Sequence, residues 1–191
     1  DVNIIAVVNP TTHEILLITT PRDSYVPLYG PDVQQGAMDK LTHAGVYGIE
    51  TSMATLGNLY ETDINYYVRL NFTSLIDIVD ILGGIDVESE YAFTTSEDSE
   101  YVMDVQEGLN HFNGEQALAF SRERQNLEDG DNQRGKNQQA VITAMLKKMI
   151  SPTMLLKAGT IMNQVSKDVE TNVTQPQLNA LIRDQLRTNA K

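Results

Sequence analysis

The strongest constraint on the fold is the alternation of β-rich runs with helical patterns along the 191 residues. Residues 3–8 and 14–20 form two runs joined by an Asn-Pro turn, which predicts a hairpin. Apolar spacing predicts helices in 46–60, 73–82 (with Thr73 as cap) and 131–149. Strands alternating with helices form layers, so we predict an α/β domain, a layered α-β-α fold with a central mixed β-sheet flanked by helices. The remaining predicted elements are strands at 64–71 and 85–88, an extended piece at 120–124, and helices at 114–119, 153–167 and 175–188.

Chain length and the absence of a low-complexity linker predict one domain over residues 1–191. The sequence begins inside a strand-like run, and no apolar run approaches the roughly 18 residues of a membrane span. We therefore expect a piece of a longer protein, with any membrane anchor upstream.

Composition excludes several classes of function. Acidic residues outnumber basic ones 26 to 14, giving a net charge of -12, so general binding of nucleic acid is not expected. With no cysteine, the chain can form neither a thiolate zinc site nor a thiol nucleophile. The three histidines, His13, His43 and His111, lack the helical spacing of zinc ligands.

Residues 130–137 nearly match a nucleotide-binding P-loop. Asn137 stands where the motif needs a hydroxyl for magnesium, and Glu128 and Asp129 precede the loop where a buried strand should be. We therefore do not predict nucleotide binding here.

Basic side chains concentrate in one 15-residue window of this acidic chain. An even spread would put about one basic residue there, but the window holds four, Arg122, Arg124, Arg134 and Lys136. On an extended segment Arg122 and Arg124 would share a face, and on the following helix Arg134 and Gln138 would share another. Arginine binds phosphate oxygens in pairs, so the window predicts a phosphate site. A solvated loop with ion pairs to nearby acids is the alternative.

Two further candidates lie near the N-terminus. Arg22 and Asp23 directly follow the strand 14–20, at the kind of strand end where ligands gather in α/β sheets. Lys40 precedes the first helix and is a third possible phosphate partner.

Taken together, these segments resemble the LytR–CpsA–Psr family, the cell-wall glycopolymer ligases of mainly Gram-positive bacteria. The pattern around 129–139 is most similar to the streptococcal capsule-associated branch. The matching stretches, in the family's order, are 1–10, 21–26, 40–45, 78–87, 109–124 and 130–134 with Gln138.

The resemblance implies a phosphotransferase (EC 2.7.8.-) at the extracellular face of the cytoplasmic membrane. Its donor would be a capsular polysaccharide or teichoic-type polymer carried on polyprenyl pyrophosphate. Its acceptor would be a hydroxyl of peptidoglycan.

The resemblance also implies roles for individual residues. The pyrophosphate would be bound by Arg22, Lys40, Arg122, Arg124, Arg134 and Gln138, and Mg²⁺ by Asp1. We assign Asp23 as the candidate general base. A lipid-binding cleft would be lined by Ile76, Val79, Leu82, Val141, Met145 and Leu146; periodicity alone fits a filled core at these positions equally.

Two departures from the family pattern bear on these roles. Asn137 replaces an arginine, which would remove one phosphate contact, and further family acids would precede Asp1. Two rival functions remain open: a polyprenyl-phosphate-binding regulator of capsule synthesis without transfer activity, and a polyprenyl-pyrophosphate phosphatase.

Overall fold

A computed structural model describes residues 2–9, 11–12, 14–126, 131–149, 151–165 and 169–189. The chain divides into two compact units, 1–67 and 68–191. The mixed α/β class is confirmed. The prediction of a single domain over the whole chain stays a prediction.

The first unit contains two antiparallel hairpin-like ladders and two helices. Its elements are β1 (Asn3–Val8), β2 (Ile15–Thr20), β3 (Tyr25–Leu28), β4 (Ala37–Lys40), α1 (Leu41–Ala44) and α2 (Ile49–Leu59). The predicted hairpin is confirmed, with Asn3 opposite Thr20 and Val8 opposite Ile15. Strands β3 and β4 pair in the same antiparallel sense, and a small core forms around Leu28, Leu41 and Leu56.

The second unit is mainly helical, with short strand pairs. Its elements are β5 (Val68–Leu70), α3 (Phe72–Ile81), β6 (Ile85–Ser89), β7 (Phe93–Thr94), β8 (Asp104–Val105), β9 (Gly108–Phe112), α4 (Gly114–Arg122), α5 (Asp131–Met149), α6 (Pro152–Leu155), α7 (Ala158–Val165), β10 (Val169–Thr171) and α8 (Gln175–Asn189). Its ladders are β5 with β10, β6 with β9, and β7 with β8.

Strand pairing is more local than a central mixed sheet would require. Within the described ranges, all five ladders have two strands and all are antiparallel. Three of the five, β1 with β2, β3 with β4 and β7 with β8, join consecutive strands, and short connections of this kind favour antiparallel pairing.

Side-chain caps fix where two helices of the second unit begin. The Asn71 side chain accepts the Ser74 N–H at 2.8 Å, and the Ser74 hydroxyl accepts the Asn71 N–H, so the cap of α3 is Asn71 and the prediction of Thr73 is wrong. Asn113 caps α4 through the same reciprocal arrangement with Gln116. Gly83 ends α3 as predicted, with a φ of 76° that a residue without a side chain adopts readily.

The extended piece predicted at 120–124 is wrong for its first three residues. Helix α4 continues through Arg122, because the Glu123 N–H still donates to the Ala119 carbonyl at 3.1 Å. Phe120 is fully buried on this helix and stacks against Phe93. Arg122 and Arg124 therefore do not share the face of one strand.

Four of the six residues predicted to line a lipid cleft lie in the core of the second unit. Val79, Leu82, Val141 and Met145 are 0–3% exposed and pack in one cluster, whereas Ile76 and Leu146 are half-buried. The four buried side chains fill space between helices in this structure, so a lipid tail would contact them only if the cluster opened. The lipid-lining role stays a prediction.

Close packing of α3 on α4 predicts a large effect for one glycine. A Cβ at Gly114 would lie 2.7 Å from the Ile76 Cα, a backbone atom that has no rotamer with which to move away. We expect Gly114→Ala to lower the free energy of unfolding by about 1–3 kcal/mol, measured by urea denaturation.

Gly135 provides the matched control for this substitution. It lies on α5, and apart from its chain neighbours and the backbone of its own helix no described atom lies within 4 Å of the position that a Cβ would occupy there. Gly135→Ala should therefore leave stability unchanged or raise it by up to about 1 kcal/mol through helix propensity. Equal losses in both variants would contradict the close packing of α3 on α4.

Candidate functional site

The first unit brings together three of the predicted site residues. Lys40 Nζ donates to Asp23 Oδ1 at 2.9 Å, and Arg22 Nε lies 3.7 Å from Asp23 Oδ2. All three side chains are about half exposed. We call Arg22, Asp23 and Lys40 the N-terminal cation cluster. Arginine and lysine are the residue types that pair with phosphate oxygens, so Arg22 and Lys40 suit a phosphate.

Main-chain hydrogen bonds place this cluster. The Thr42 N–H donates to the Arg22 carbonyl at 2.9 Å, and the Leu41 N–H donates to the Ser24 carbonyl at 2.8 Å. The end of β2 and the start of α1 are thereby joined. Lys40 comes beside Asp23 although 17 residues separate them in the chain.

A separate cavity of about 720 Å³ lies in the first unit. Its walls come from α2, the segment 61–65 and Tyr29, and they include three acids, Glu50, Glu61 and Asp63. None of the predicted site residues lines it. The acidic walls do not favour a phosphate there.

The second unit carries the remaining predicted phosphate ligands. Arg122 lies in the last turn of α4, and Arg124 follows two residues later with an exposed side chain. Arg134 and Gln138, one turn apart on α5, are both half-buried. Lys136 lies on the same helix and donates to Glu90 Oε2 at 3.1 Å.

Arg122 is held in place by two groups that the sequence did not indicate. Its Nη1 donates to Glu100 Oε1, and its guanidinium carbon lies 4.8 Å from the centroid of the Phe72 ring. Arg124, in contrast, forms no ion pair with any residue that the structure describes.

The contact between Glu100 and Arg122 predicts a gain of affinity. A phosphate must displace the Glu100 carboxylate to pair with Arg122, and exposed ion pairs contribute about 0.2–1 kcal/mol. We therefore expect Glu100→Gln to bind farnesyl diphosphate about 1.4- to 5-fold more tightly, measured by isothermal titration calorimetry. Glu97→Gln removes the same charge from the start of the same short turn and serves as the control. An equal gain in both variants would show that net charge alone matters.

Glu123, between the two arginines, is the most strongly bonded acid of this region. Its side chain is fully buried. Its oxygens accept five hydrogen bonds, from the backbone N–H groups of Ser96, Arg124, Gln125 and Asn126 and from the hydroxyl of Ser99. Burial raises the pKa of Glu123, but the hydrogen bonds, led by that of the Ser96 N–H, outweigh burial and lower the pKa from 4.5 to about 2. Glu123 thus fixes the backbone that carries Arg124.

Asn137 has a structural role at the position where the family pattern has an arginine. It is 3% exposed, and its Nδ2 donates to the Phe120 carbonyl at 3.2 Å. Its Oδ1 accepts from Gln133 Nε2 at 3.2 Å. In this chain, position 137 joins α5 to α4 and does not face solvent.

The predicted magnesium ligand, Asp1, lies outside the described residues. Among the residues that the structure describes, no three histidine or acidic side chains are grouped closely enough to hold a metal ion. The described residues therefore do not by themselves fit a magnesium site.

Comparison with known proteins identifies the family. The sequence profile of the LytR_cpsA_psr family matches residues 1–191. The chain belongs to this family. The resemblance found in the sequence is confirmed.

Relatives with curated names include two kinds of protein. The chain is 35% identical over 171 residues to the polyisoprenyl-teichoic acid–peptidoglycan teichoic acid transferase TagU of Bacillus anthracis, covering 89% of this chain and 54% of the relative. It is 34% identical over 179 residues to biofilm regulatory protein A of Streptococcus mutans, covering 91% and 44%. The chain thus spans about half the length of the curated relatives it matches.

Solved structures agree on the fold. Bacillus subtilis TagV superposes with a TM-score of 0.83 at 28% identity, covering 98% of this chain and 71% of the other. A structure described as TagT bound to LI-WTA superposes with a TM-score of 0.74 at 27% identity, covering 97% and 68%. The predicted placement in the streptococcal branch stays a prediction, because the relatives include both Bacillus and Streptococcus proteins.

Proposed function

We propose that this chain is the catalytic part of a transferase that moves a glycopolymer from polyprenyl pyrophosphate to peptidoglycan. The observation that carries the proposal is the match to one family over the whole chain, with TagU among its relatives. The polymer is a teichoic-type or capsular polysaccharide. Each unit, taken by itself, carries arginine or lysine side chains of the type that binds phosphate oxygens.

The reaction exchanges the phosphoanhydride bond of the donor for a phosphate ester bond. A peptidoglycan hydroxyl attacks the phosphorus next to the glycan, and the bond from that phosphorus to the oxygen of the leaving polyprenyl phosphate breaks. A phosphodiester forms, and the hydroxyl proton passes to a base. Charge moves onto the leaving phosphate, where arginine and lysine stabilise it most strongly.

Location and metal dependence belong to the same proposal. The enzyme works at the outer face of the cytoplasmic membrane, held by an anchor upstream of this sequence. None of the described helices is both long and apolar enough to cross a bilayer. Asp1 would hold magnesium, and the ion would supply positive charge for the phosphates of the donor. Removal of the ion with EDTA should stop transfer, and added Mg²⁺ should restore it.

One assay separates this function from its rivals. The full-length protein is incubated with a radiolabelled glycan on polyprenyl pyrophosphate, with and without peptidoglycan. A transferase gives label in peptidoglycan. A regulator that only binds gives retained, unaltered donor, and a phosphatase releases inorganic phosphate without acceptor. Either of the last two results, with no label in peptidoglycan from teichoic-type or capsular donors, would overturn the proposal.

A further inference from the structure

A histidine–aspartate pair lies beside the N-terminal cation cluster. His43 Nδ1 is 2.8 Å from Asp39 Oδ1, and both side chains are about half exposed. The other ring nitrogen, Nε2, forms no hydrogen bond with any residue in the described part of the chain. One nitrogen is thus oriented by a carboxylate and the other is open to a ligand, which is the arrangement of a general base and its orienting acid.

Asp39 is suited to orient the ring because it stays ionised. The Lys40 N–H donates to its Oδ1 at 2.7 Å; this hydrogen bond, followed by that of His43, lowers the pKa of Asp39. A carboxylate at Nδ1 favours the tautomer with its proton on Nδ1. The lone pair is then on Nε2, where a hydroxyl can donate its proton.

Main-chain bonds join the segment that carries this pair to the segment that carries Arg22 and Asp23. The residue preceding His43, Thr42, donates its N–H to the Arg22 carbonyl, and Lys40 follows Asp39 directly. The earlier candidate base, Asp23, has one oxygen on Lys40 and the other near Arg22. A carboxylate engaged by two cations is a weaker proton acceptor than an imidazole with a free nitrogen.

We propose that His43 is the general base of the transfer reaction and that Asp39 is its positioning residue. This inference rests on the proposed function. His43 Nε2 takes the proton of the peptidoglycan hydroxyl as its oxygen bonds to phosphorus and the leaving polyprenyl phosphate departs with the bonding electrons. The resulting imidazolium is stabilised by the Asp39 carboxylate and later returns its proton to water or to the leaving phosphate. Asp23 serves to hold Lys40 and Arg22.

The protein contains a matched control for this pair. His111 Nδ1 lies 2.7 Å from Asp86 Oδ1, with both side chains somewhat more exposed than those of the first pair. This second pair joins β9 to β6 and includes none of the predicted phosphate ligands. It has the same contact between histidine Nδ1 and aspartate Oδ1 as His43 and Asp39, but in the second unit instead of the first.

The test measures steady-state transfer by the full-length protein. We expect His43→Ala to lower kcat about 100-fold or more, with the KM for the polyprenyl pyrophosphate donor changed less than about threefold. Added imidazole should restore part of the lost kcat in His43→Ala. Asp39→Asn should lower kcat by a smaller factor, and His111→Ala should keep the wild-type value.

Each outcome bears on one claim. A wild-type kcat in His43→Ala, or a reduced kcat that imidazole does not restore, overturns the assignment while leaving the proposed function intact. Absence of transfer by the wild-type protein removes the proposed function, and the base assignment with it. Thermal unfolding of His43→Ala and His43→Asn shows whether the variants are folded. A folded His43→Asn variant that keeps the wild-type kcat also overturns the assignment of His43 as the general base.

Discussion

Glu123→Gln should lower the free energy of unfolding by about 3 kcal/mol at pH 7, because the pKa of the carboxyl falls from 4.5 to about 2 on folding. Glutamine keeps the size of the side chain but has one acceptor oxygen instead of two, and its NH₂ group would face N–H donors. For a chain of this length, the loss corresponds to a fall of about 6–12 °C in Tm. Urea denaturation and calorimetry measure both quantities.

The pH dependence of this effect follows from the direction of the pKa shift. Because the folded-state pKa is the lower one, the stabilisation is complete above about pH 4.5 and is lost as the pH falls toward 2. The difference between wild type and Glu123→Gln should therefore shrink by more than half by about pH 3. The control is Glu107→Gln, an exposed acid in the same unit. A difference that stays constant from pH 7 to pH 3 would contradict the assigned role of the carboxylate.

Arg124→Ala should lower kcat/KM for glycopolymer transfer by about 10- to 150-fold. A hydrogen bond to a charged group contributes about 1.5–3 kcal/mol, and the loss of one such bond to the pyrophosphate gives this range. Arg124 is better suited to this test than Arg122, which also contacts Phe72 and Glu100. The Arg124 side chain is exposed and forms no ion pair among the described residues, so its removal should change the stability of the protein little.

Arg69→Ala is the control for Arg124→Ala. Arg69 is an exposed arginine of the same unit, 3.5 Å from Glu170, and is absent from the predicted site. Its replacement changes the net charge equally and should leave kcat/KM within about twofold of the wild-type value. Unchanged transfer in Arg124→Ala, or equal losses in both variants, would remove Arg124 from the phosphate site.

The sequence predicted those parts of the fold that depend on neighbouring residues. Helix α5 spans 131–149 as expected, and the first hairpin and the glycine end of α3 are also confirmed. The end of α4 was missed because Ser-Arg-Glu-Arg has no local stop signal such as glycine or proline. Its helical state is set by the burial of Phe120 in the core, which is a tertiary effect.

Candidate ligands could be proposed from residue type, whereas their partners could not be found from the sequence. An excess of arginine in an acidic chain is visible in the sequence. The partner of Arg122 is not, because Glu100 lies 22 residues away in the chain. The Ser96 donor is 27 residues from Glu123. Such pairings depend on how loops return to a helix end, which no local pattern indicates. A local pairing is different: the three-residue spacing of Asn113 and Gln116 is typical of a helix cap and can be seen in the sequence.

Two main-chain hydrogen bonds join segment 21–24 to segment 41–42. They position the N-terminal cation cluster independently of which side chains carry out its chemistry. Backbone amides and carbonyls are present whatever side chains the residues carry, so exchanging Arg22, Lys40 or His43 leaves this connection intact. Single substitutions there should report on reactivity more than on folding. The same segment could accept a different set of charges during evolution, or by engineering toward another phosphorylated donor, on an unchanged scaffold.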